Sequence, residues 1–508
     1  MNRPATDQSP LTPRRRWIAL AVLTLAIVIL AVDATVLYLA VPSLTEDLSP
    51  SAAQILWIGD IYSLAIASLL IVMGALADRI GRKRLLLIGA AGFGAASALA
   101  AWSTGPEMLI AARFLLGVTG ATLMPSCLAL IRNIFPDASE RARAIAIWSA
   151  AMGGGAALGP VVGGLLLEHF WWGSVFIINL PIMAVLVVAG AVVLPESRDP
   201  DPGRFDLVSA ALSMACLIPV VYAIKHAVTS GVSPVMFAML AAGLVFGAWF
   251  VRRQRRLEAP LLDISLFRVP AFTGAVTSTF ISVFAMLGFL FFFSQYLQLV
   301  RGYTPFVAGL AELPATVASI VVVVLVGVAL RRVGRGRSIG ISLFLISLGL
   351  AGMAAALEAD HYVWLALTLI PIGLGVGIAT ALSTDTGISA APPQKSGAAS
   401  AVSETAYELG VGLGIAVLGS IVTYLYRSGV PIPDGASAAD ATHIRESLAT
   451  ALPVLEHDPA AAEGAMHAFV EAMQITSLVA AAVTLVSVWV AWALIPSDRT
   501  TDTVRSSH

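Results

Sequence analysis

The chain contains fourteen apolar runs close to the ~20 residues that an α-helix needs to cross a bilayer. They lie at 17–40, 53–75, 84–103, 106–130, 142–167, 173–194, 206–225, 233–251, 272–298, 305–330, 338–357, 361–389, 397–425 and 472–494. Only 12% of the residues are charged, against roughly 25% in a soluble domain. We therefore expect an all-α polytopic membrane protein. The first run is too long for a signal-peptide core and is interpreted as the first spanning helix.

Lysine and arginine predict the orientation, because they accumulate in cytoplasmic loops. With the N-terminus inside, the tails and even-to-odd loops hold 25 of the 30 basic residues and the opposite loops hold four. Both termini are then cytoplasmic, and the polar Ala-rich stretch 427–469 is an external loop or short helical hairpin. The predicted organisation is a cytoplasmic tail, a six-helix bundle, two inserted helices, a second six-helix bundle and a second tail, at 1–16, 17–194, 206–251, 272–494 and 495–508.

A weak internal repeat supports two equivalent bundles. The loop Gly74–Arg84, after the second span, is rich in glycine and basic residues, and a degenerate copy, Gly327–Arg337, follows the tenth span. Two repeated units are typical of secondary transporters, which hold their substrate near the membrane midplane between the halves.

The fifth span carries a glycine motif at fourfold spacing. Gly155, Gly159 and Gly163 share one helix face and allow close approach of another backbone. Pro160 removes a backbone N–H, and Gly164 follows the third glycine. The motif is either a packing kink of a polytopic protein or a bending point between the halves of a transporter.

Ionisable residues within spans are costly, and each needs a partner, a cavity or a function. Asp33 lies past the middle of span one. It is either a cation or proton site facing the central cavity or a structural group hydrogen-bonded to a neighbouring helix. Asp60 lies at the beginning of span two, close to the outer interface, where it has either a role in function or a purely structural role. Arg113 is interpreted as the only basic residue deep in a span, where it should pair with a carboxylate or carbonyls and couple to it.

Three further acids belong to the second bundle. Glu312 lies about two turns from the external end of span ten, facing either the cavity or the headgroups. Glu404 and Glu408 are four residues apart in span thirteen and share a helix face. Two carboxylates so close in a low dielectric cannot both ionise cheaply, and at least one should hold a proton near neutrality. That property suits a proton-coupled carrier.

Aromatic residues near these acids could bind a flat cation through their ring faces, although lipid or core packing is the better explanation of any single one. The candidates are Trp57, Tyr62, Trp148, Phe292, Tyr296 and Tyr407. Acids and aromatics without a lysine in the expected cavity favour cationic, amphipathic substrates.

The loop after span two has its own logic, carried by Gly74, Asp78, Gly81 and Arg82. Asp78 could cap the following helix or pair with arginines across a cytoplasmic gate. A simple positive-inside turn would explain the basic residues but not the Gly–Asp–Gly spacing.

Other function classes lack their signatures. The sequence has no HExxH, no Walker-type loop and no Cys/His cluster, and its two cysteines lie within apolar runs. We therefore expect a transporter rather than a membrane enzyme, channel or receptor. We also expect no metal, no cofactor and no nucleic-acid partner, and a monomer suffices.

Together these motifs resemble the major facilitator superfamily, specifically its fourteen-span drug:proton antiporters of the QacA and LfrA type. The segments that carry the resemblance, in order, are 30–42, 56–64, 74–84, 113–121, 155–164 and 172–181. The resemblance implies a proton-driven multidrug exporter in a bacterial cytoplasmic membrane. Its substrates would be lipophilic cations such as ethidium and quaternary ammonium compounds, with fluoroquinolones as a further class.

The resemblance also implies residue roles. Asp33, Glu404 and Glu408 would form the network for protons and cations, while Asp60 and Arg113 would be required for transport. Asp78 and Arg82 would belong to the gate, and the 427–469 loop would contribute at the outer mouth. In the quaternary-ammonium exporters an acid in span ten is linked to divalent cations. The corresponding residue here is Ser319, so monovalent cations should be preferred. The alternative is a dedicated exporter of one endogenous metabolite, lipid or siderophore on the same fold.

Overall fold

The computed structural model describes residues 11–198, 206–257, 260, 262–322, 326, 330, 332–392 and 395–496, and these residues form helices joined by short connections. The helices are α1 (Pro13–Leu48), α2 (Ala52–Ile80), α3 (Arg82–Ala101), α4 (Pro106–Ile134), α5 (Ala138–His169), α6 (Ser174–Ile177), α7 (Asn179–Val193), α8 (Leu207–Ser230), α9 (Pro234–Gln254), α10 (Pro270–Leu299), α11 (Pro305–Val321), α12 (Arg335–Ala356), α13 (Tyr362–Ala390), α14 (Ser396–Gly429), α15 (Ala438–Glu446), α16 (Leu448–Val454) and α17 (Pro459–Leu494).

The expected all-α membrane architecture is confirmed. Within the described residues, thirteen helical segments are long and apolar enough to cross a membrane, one of them formed by α6 and α7 together (Ser174–Val193), and α11 is a shorter apolar helix. The tenth predicted span, 305–330, continues past α11 partly outside the described residues. Several helices extend beyond their apolar runs, and at some of their starts a polar side chain caps the free backbone N–H groups. At the start of α2, for example, Ser51 and Gln54 form a capping box.

The loop predicted to be external is shorter than the predicted 427–469. Helix α14 continues to Gly429 and α17 begins at Pro459, which leaves 430–458 as the connection. Helices α15 and α16 lie within it. The side chain of Ser437 caps α15, and Ser447 forms a capping box with Thr450 at the start of α16. The stretch is therefore an ordered cap made of two short helices.

The repeated loops adopt the same turn. Gly81 precedes α3 with φ 112° and Gly334 precedes α12 with φ 89°, a backbone region that favours glycine. The N–H of Arg82 donates to the carbonyl of Ser197, and the N–H of Gly336 donates to that of Pro496. Each loop is thus tied to the segment that follows the last helix of its own unit. Residues 327–329 and 331 of the second copy lie outside the described residues.

The two inserted helices pack beside the bundles. On α9 only Gly243 and Gln254 are buried, and large side chains such as Trp249 are exposed, as expected for a lipid-facing helix. Helix α8 lies against α9, where Gly243 and Gly247 contact Cys216 of α8. Helix α8 also packs on both α2 and α14. It therefore lies at a seam between the two units.

The two units meet closely at the predicted outer end of the bundle, through small residues. A Cβ placed on Gly59 of α2 would lie 2.9 Å from the Phe291 ring of α10. One placed on Gly412 of α14 would lie 2.8 Å from Leu64 of α2. Such close approach between helices is typical of membrane proteins, where van der Waals packing drives association.

Candidate functional site

The first buried site joins four helices around Asp33 of α1. The Asp33 carboxylate is fully buried and lies 3.1 Å from Nη1 of Arg113 on α4. Nδ2 of Asn179, at the start of α7, donates to the other carboxylate oxygen at 2.7 Å and reaches Ser97 Oγ at 3.1 Å. A buried carboxylate is tolerated only when paired and hydrogen-bonded, and this one has both kinds of partner.

Arg113 uses the rest of its guanidinium on α2. Its Nε donates to the Ile58 carbonyl at 3.3 Å, and its Cζ lies 4.6 Å from the centre of the Tyr62 ring. The structure thus provides both the carboxylate and the carbonyl partner that an intramembrane arginine needs. Asn179 is a site residue that the sequence does not reveal, because an asparagine in an apolar segment carries no charge to mark it.

The second buried site corrects the sequence interpretation. The charge count that sets the orientation assigns Lys225, the last residue of the run 206–225, to an outer loop, but it lies within α8 and is 1% exposed. Its Nζ lies 2.7 Å and 2.9 Å from the two carboxylate oxygens of Asp60 and 3.6 Å from the Trp57 ring centroid. The apolar run ends at Lys225, whereas the helix continues because Asp60 neutralises the charge. Arg113 is therefore not the only basic residue deep in a span. The expectation of a lysine-free cavity is wrong.

The acids of the second unit have no such partners. Glu312 of α11 is 1% exposed, and neither of its carboxylate oxygens has a hydrogen-bond partner among the described residues. Glu404 is half-buried, with Oε1 unbonded, and Glu408 is buried one turn later on the same face of α14. Within the described chain, no basic side chain forms a salt bridge with any of the three.

Tyrosines connect the two sets of acids. Tyr38 of α1 lies within electrostatic range of Arg113, Glu408 and Glu312. Tyr62 of α2 interacts in the same way with Asp33 and Glu408. Asp33 of the first unit and Glu408 of the second are therefore both within electrostatic range of Tyr62, and Glu408 and Glu312 are both within range of Tyr38.

The other aromatic candidates divide by their surroundings. Tyr407 lies near Glu404 and Glu408, and Phe292 packs where α10 meets α14 and α2 at the outer end. Trp148 is buried in α5 with Nε1 unbonded. The hydroxyl of Tyr296 donates to the Leu357 carbonyl at 2.6 Å, which anchors this ring in packing at the end of α10.

The glycine motif of α5 packs against both units. A Cβ on Gly155 would lie 2.7 Å from the Val28 carbonyl oxygen of α1, and those on Gly159 and Gly163 would meet Thr35 and Val36 of the same helix. On its other side, a Cβ on Gly164 would lie 2.6 Å from Phe306 Cα of α11. In addition, Gly309 of α11 lies directly against the carbonyl of Pro160. Helix α5 is thus wedged between α1 and α11.

The loop after α2 is closed on itself. Arg82 Nη2 lies 2.9 Å from Asp78 Oδ1, one turn away, and Arg82 Nη1 donates to Ser197 Oγ at 3.1 Å. Asp78 therefore pairs with the arginine of its own loop, and α3 begins at Arg82, after the N-cap residue Gly81, without a side-chain cap. Gly74 packs on Pro125 of α4, 3.6 Å from a placed Cβ.

Comparison with known proteins identifies close relatives. The sequence profile of the Major Facilitator Superfamily matches residues 23–415. The multidrug efflux pump LfrA of Mycolicibacterium smegmatis is 46% identical over 485 residues, which cover 94% of this chain and 96% of that protein. The methyl viologen resistance protein SmvA of Salmonella typhimurium is 35% identical over 464 residues, which cover 90% of this chain and 93% of that protein.

Among solved structures, a bacterial homologue of the human lysosomal transporter Spinster, crystallised inward-facing and unoccupied, superposes with a TM-score of 0.68. The match covers 96% of this chain and 99% of that one at 14% sequence identity. At that identity the likeness shows the fold alone.

Proposed function

The chain belongs to the major facilitator superfamily and is a multi-pass drug-efflux transporter, not an enzyme, and from that premise we propose that it exchanges protons for lipophilic cations by alternating access. The substrates are dyes such as ethidium and quaternary ammonium compounds, with zwitterionic fluoroquinolones as a further class. The chain resides in a bacterial cytoplasmic membrane with both termini inside, and it needs no cofactor beyond the proton gradient.

One observation carries the proposal: the acids within the helices of the two units differ in pairing. Asp33 and Asp60 each face a basic side chain, while Glu312, Glu404 and Glu408 face none among the described residues. An ionised carboxylate without a counter-charge is costly at membrane depth. Such a group is accommodated when it carries a proton or faces a cation. Alternation between these two states is the requirement for proton–cation exchange.

The packing supports a direction for the exchange. Helices α5 and α11 are in backbone contact near Gly164, at the predicted outer end. At the predicted inner half of α1, a groove of about 400 Å³ runs along one helix face beside Ile147 of α5. We propose that cations enter by this inner groove. One-for-one exchange of a proton for a monovalent cation is electroneutral, so it is driven by the pH gradient, which is worth about 1.4 kcal/mol per pH unit and can concentrate the substrate outward.

The charge of the preferred substrate follows from span ten. Ser319 is half-buried, and its hydroxyl donates to the Thr316 carbonyl at 2.8 Å, so this position supplies no second carboxylate. We propose that monovalent cations are preferred. Methyl viologen, the dication after which the Salmonella relative is named, is therefore the informative comparison substrate.

The experiment is efflux from proteoliposomes with an imposed pH gradient, with ethidium and methyl viologen as substrates. Wild type is compared with Asp33→Asn and Glu404→Gln. Glu471→Gln, an exposed acid of α17, is the matched control. Gradient-driven ethidium efflux that both site variants abolish and the control retains supports the proposal.

Other outcomes revise it in defined ways. Efflux that persists in both site variants moves proton coupling to Glu408, Asp60 or Glu312. Methyl viologen transport at the ethidium rate contradicts the monovalent preference. No gradient-driven efflux of any cation by wild type refutes the multidrug function and favours an exporter dedicated to one endogenous compound.

A further inference from the structure

Lys225 occupies a pocket with the chemistry of an organic-cation site. Its ammonium contacts both oxygens of Asp60 at 2.7 Å and 2.9 Å and lies 3.6 Å above the Trp57 ring. A carboxylate beside an aromatic face is the combination that recognises organic cations, through charge and through the ring quadrupole. Asp60 and Trp57 are three residues apart on α2, so both lie on one helix face. We call Asp60 and Trp57 together the cation box.

The lysine comes from outside the two six-helix units. Helix α8 belongs to the inserted pair, and it packs on α2 of the first unit and α14 of the second. Val221, one turn before Lys225, forms an apolar cluster with Leu64 of α2 and Ala416 of α14, and Trp57 packs against this cluster. The box therefore lies beside the seam between the units, which any alternation of the two must disturb.

The Arg113–Asp33 pair differs from the Lys225–Asp60 pair in how the basic side chain is held. Arg113 approaches Asp60 from α4, but its guanidinium is already held by Asp33, the Ile58 carbonyl and the Tyr62 ring. An arginine fork held at several points is a fixed counter-charge, whereas a lysine ammonium is a compact charge on a flexible stem. Of these two basic side chains near Asp60, Lys225 is the one whose flexible stem lets its charge move away from the carboxylate.

We propose that Lys225 is a tethered competitor that fills the cation box when the outer end is closed, and that an organic cation binds there by displacing it. This inference rests on the proposed function for its ligand class. It deepens that function by giving the inserted helices a role in transport, because displacement of Lys225 by a bound cation loosens α8 from α2 where the two units meet. The alternative is a lysine that only ties α8 to α2.

Wild-type protein distinguishes the two. The chain has two other lysines, Lys83 and Lys395, which serve as internal references. Reductive methylation of the protein in nanodiscs is followed by mass spectrometry, with and without saturating tetraphenylphosphonium. Displacement predicts at least a ten-fold faster modification of Lys225 with the cation present and unchanged rates at the other two. An unchanged Lys225 rate while tetraphenylphosphonium is shown to bind overturns the proposal.

A second test does not depend on multidrug recognition. Lys225→Ala opens the box, and propylammonium carries the missing ammonium on a three-carbon chain. We expect saturable thermal stabilisation of Lys225→Ala by propylammonium, with none in wild type or in Lys225→Arg. The stabilisation should disappear in Lys225→Ala/Asp60→Asn. Ethidium should bind Lys225→Ala about ten-fold more tightly than wild type.

The two sets of results separate the proposals. Propylammonium rescue without wild-type ethidium efflux leaves the box standing and removes the multidrug function. Wild-type efflux with equal propylammonium response in all variants removes the box and leaves the function. If Lys225→Ala does not fold, the labelling of wild type decides alone.

Discussion

Gly164 of α5 provides a direct test of the closed outer end. A Cβ at this position would lie 2.6 Å from Phe306 Cα and 2.6 Å from the Pro305 carbonyl oxygen. Both are backbone atoms of α11, which cannot rotate away as a flexible side chain would. In Gly164→Ala the two helices must therefore separate by about 1 Å to restore an ordinary carbon contact of about 3.5–4.0 Å.

The cost of this separation falls on one conformation. Adding a methyl group to a tightly packed contact costs about 1–3 kcal/mol. Helices α5 and α11 belong to different units, so the strain is relieved when the outer end opens. A bias of about 1–3 kcal/mol changes a two-state equilibrium by roughly 5- to 150-fold. Gly164→Ala should therefore shift the protein toward its outward-open state by that factor.

Cysteine labelling measures the shift. Gln295 of α10 is 3% exposed and borders a cavity at the predicted outer end that residues of both units line. In a background with Cys127→Ser and Cys216→Ser, we expect Gln295→Cys to react with an external impermeant maleimide 5- to 150-fold faster when Gly164→Ala is present.

Two neighbouring glycines supply the controls for this experiment. A Cβ on Gly154 meets nothing within 4 Å, so Gly154→Ala should leave the labelling rate unchanged. Gly155 contacts Val28 of its own unit, so Gly155→Ala should lower thermal stability without opening the outer end. Equal labelling in the Gly164→Ala and Gly154→Ala variants, both folded, would refute the reasoning.

Three single contacts carry the remaining predictions. Asn179→Leu removes a hydrogen bond to the buried Asp33 carboxylate, which is worth about 1.5–3 kcal/mol. The substitution should therefore slow gradient-driven ethidium efflux by at least ten-fold. A comparable loss of efflux in Ser97→Ala would contradict the assignment of the effect to the hydrogen bond with Asp33. Glu446 accepts a hydrogen bond from the first N–H of α2 at 2.8 Å, and a charge at a helix N-terminus is worth about 0.3–1 kcal/mol. Glu446→Gln should therefore raise the rate of maleimide labelling at Gln295→Cys by about two- to five-fold. An unchanged labelling rate would argue against a role of Glu446 in closing the outer end. The hydrogen bond from Lys395 holds the pKa of Asp263 below its ordinary value, so this pair stabilises the fold above about pH 4 and loses its effect as the pH falls through the depressed pKa. Lys395→Met should therefore lower the free energy of unfolding at pH 7 by about 0.5 kcal/mol, and this difference from wild type should disappear in acid. A difference in unfolding free energy that does not change with pH would exclude the ion pair as its cause.

Much of the architecture could be predicted because membrane chemistry restricts the choices. A bilayer admits apolar helices of a narrow length range, so the apolar runs predicted the helices within a few residues at most ends. The fourfold spacing of Gly155 and Gly159 predicted a face for close helix approach, and α1 occupies it. The charge of Arg113 predicted a buried counter-charge, because leaving it unpaired would be prohibitive. Which acid it pairs with depends on three-dimensional packing, and the sequence left this open.

The failures have the same physical origin. Hydropathy ends a span at Lys225 because a lysine at membrane depth is expensive, yet Asp60, 165 residues away, removes that expense. Asn179 escapes notice because its amide is uncharged, although it donates the shortest hydrogen bond to Asp33. Hydropathy treats each residue without its partner, so it misplaces the groups that long-range pairing has stabilised. Those are also the groups most informative about function.

The pairing of Lys225 has a consequence for the inserted helices. If α8 and α9 only filled space beside the bundles, an apolar residue at position 225 would serve as well as a lysine. Replacing Lys225 alone would leave Asp60 fully buried without its nearest counter-charge, which is far costlier than never having built the pair. Helices α8 and α2 are therefore electrostatically bound to each other. Any movement of α2 in the transport cycle must either carry α8 with it or supply Asp60 with another cation or a proton.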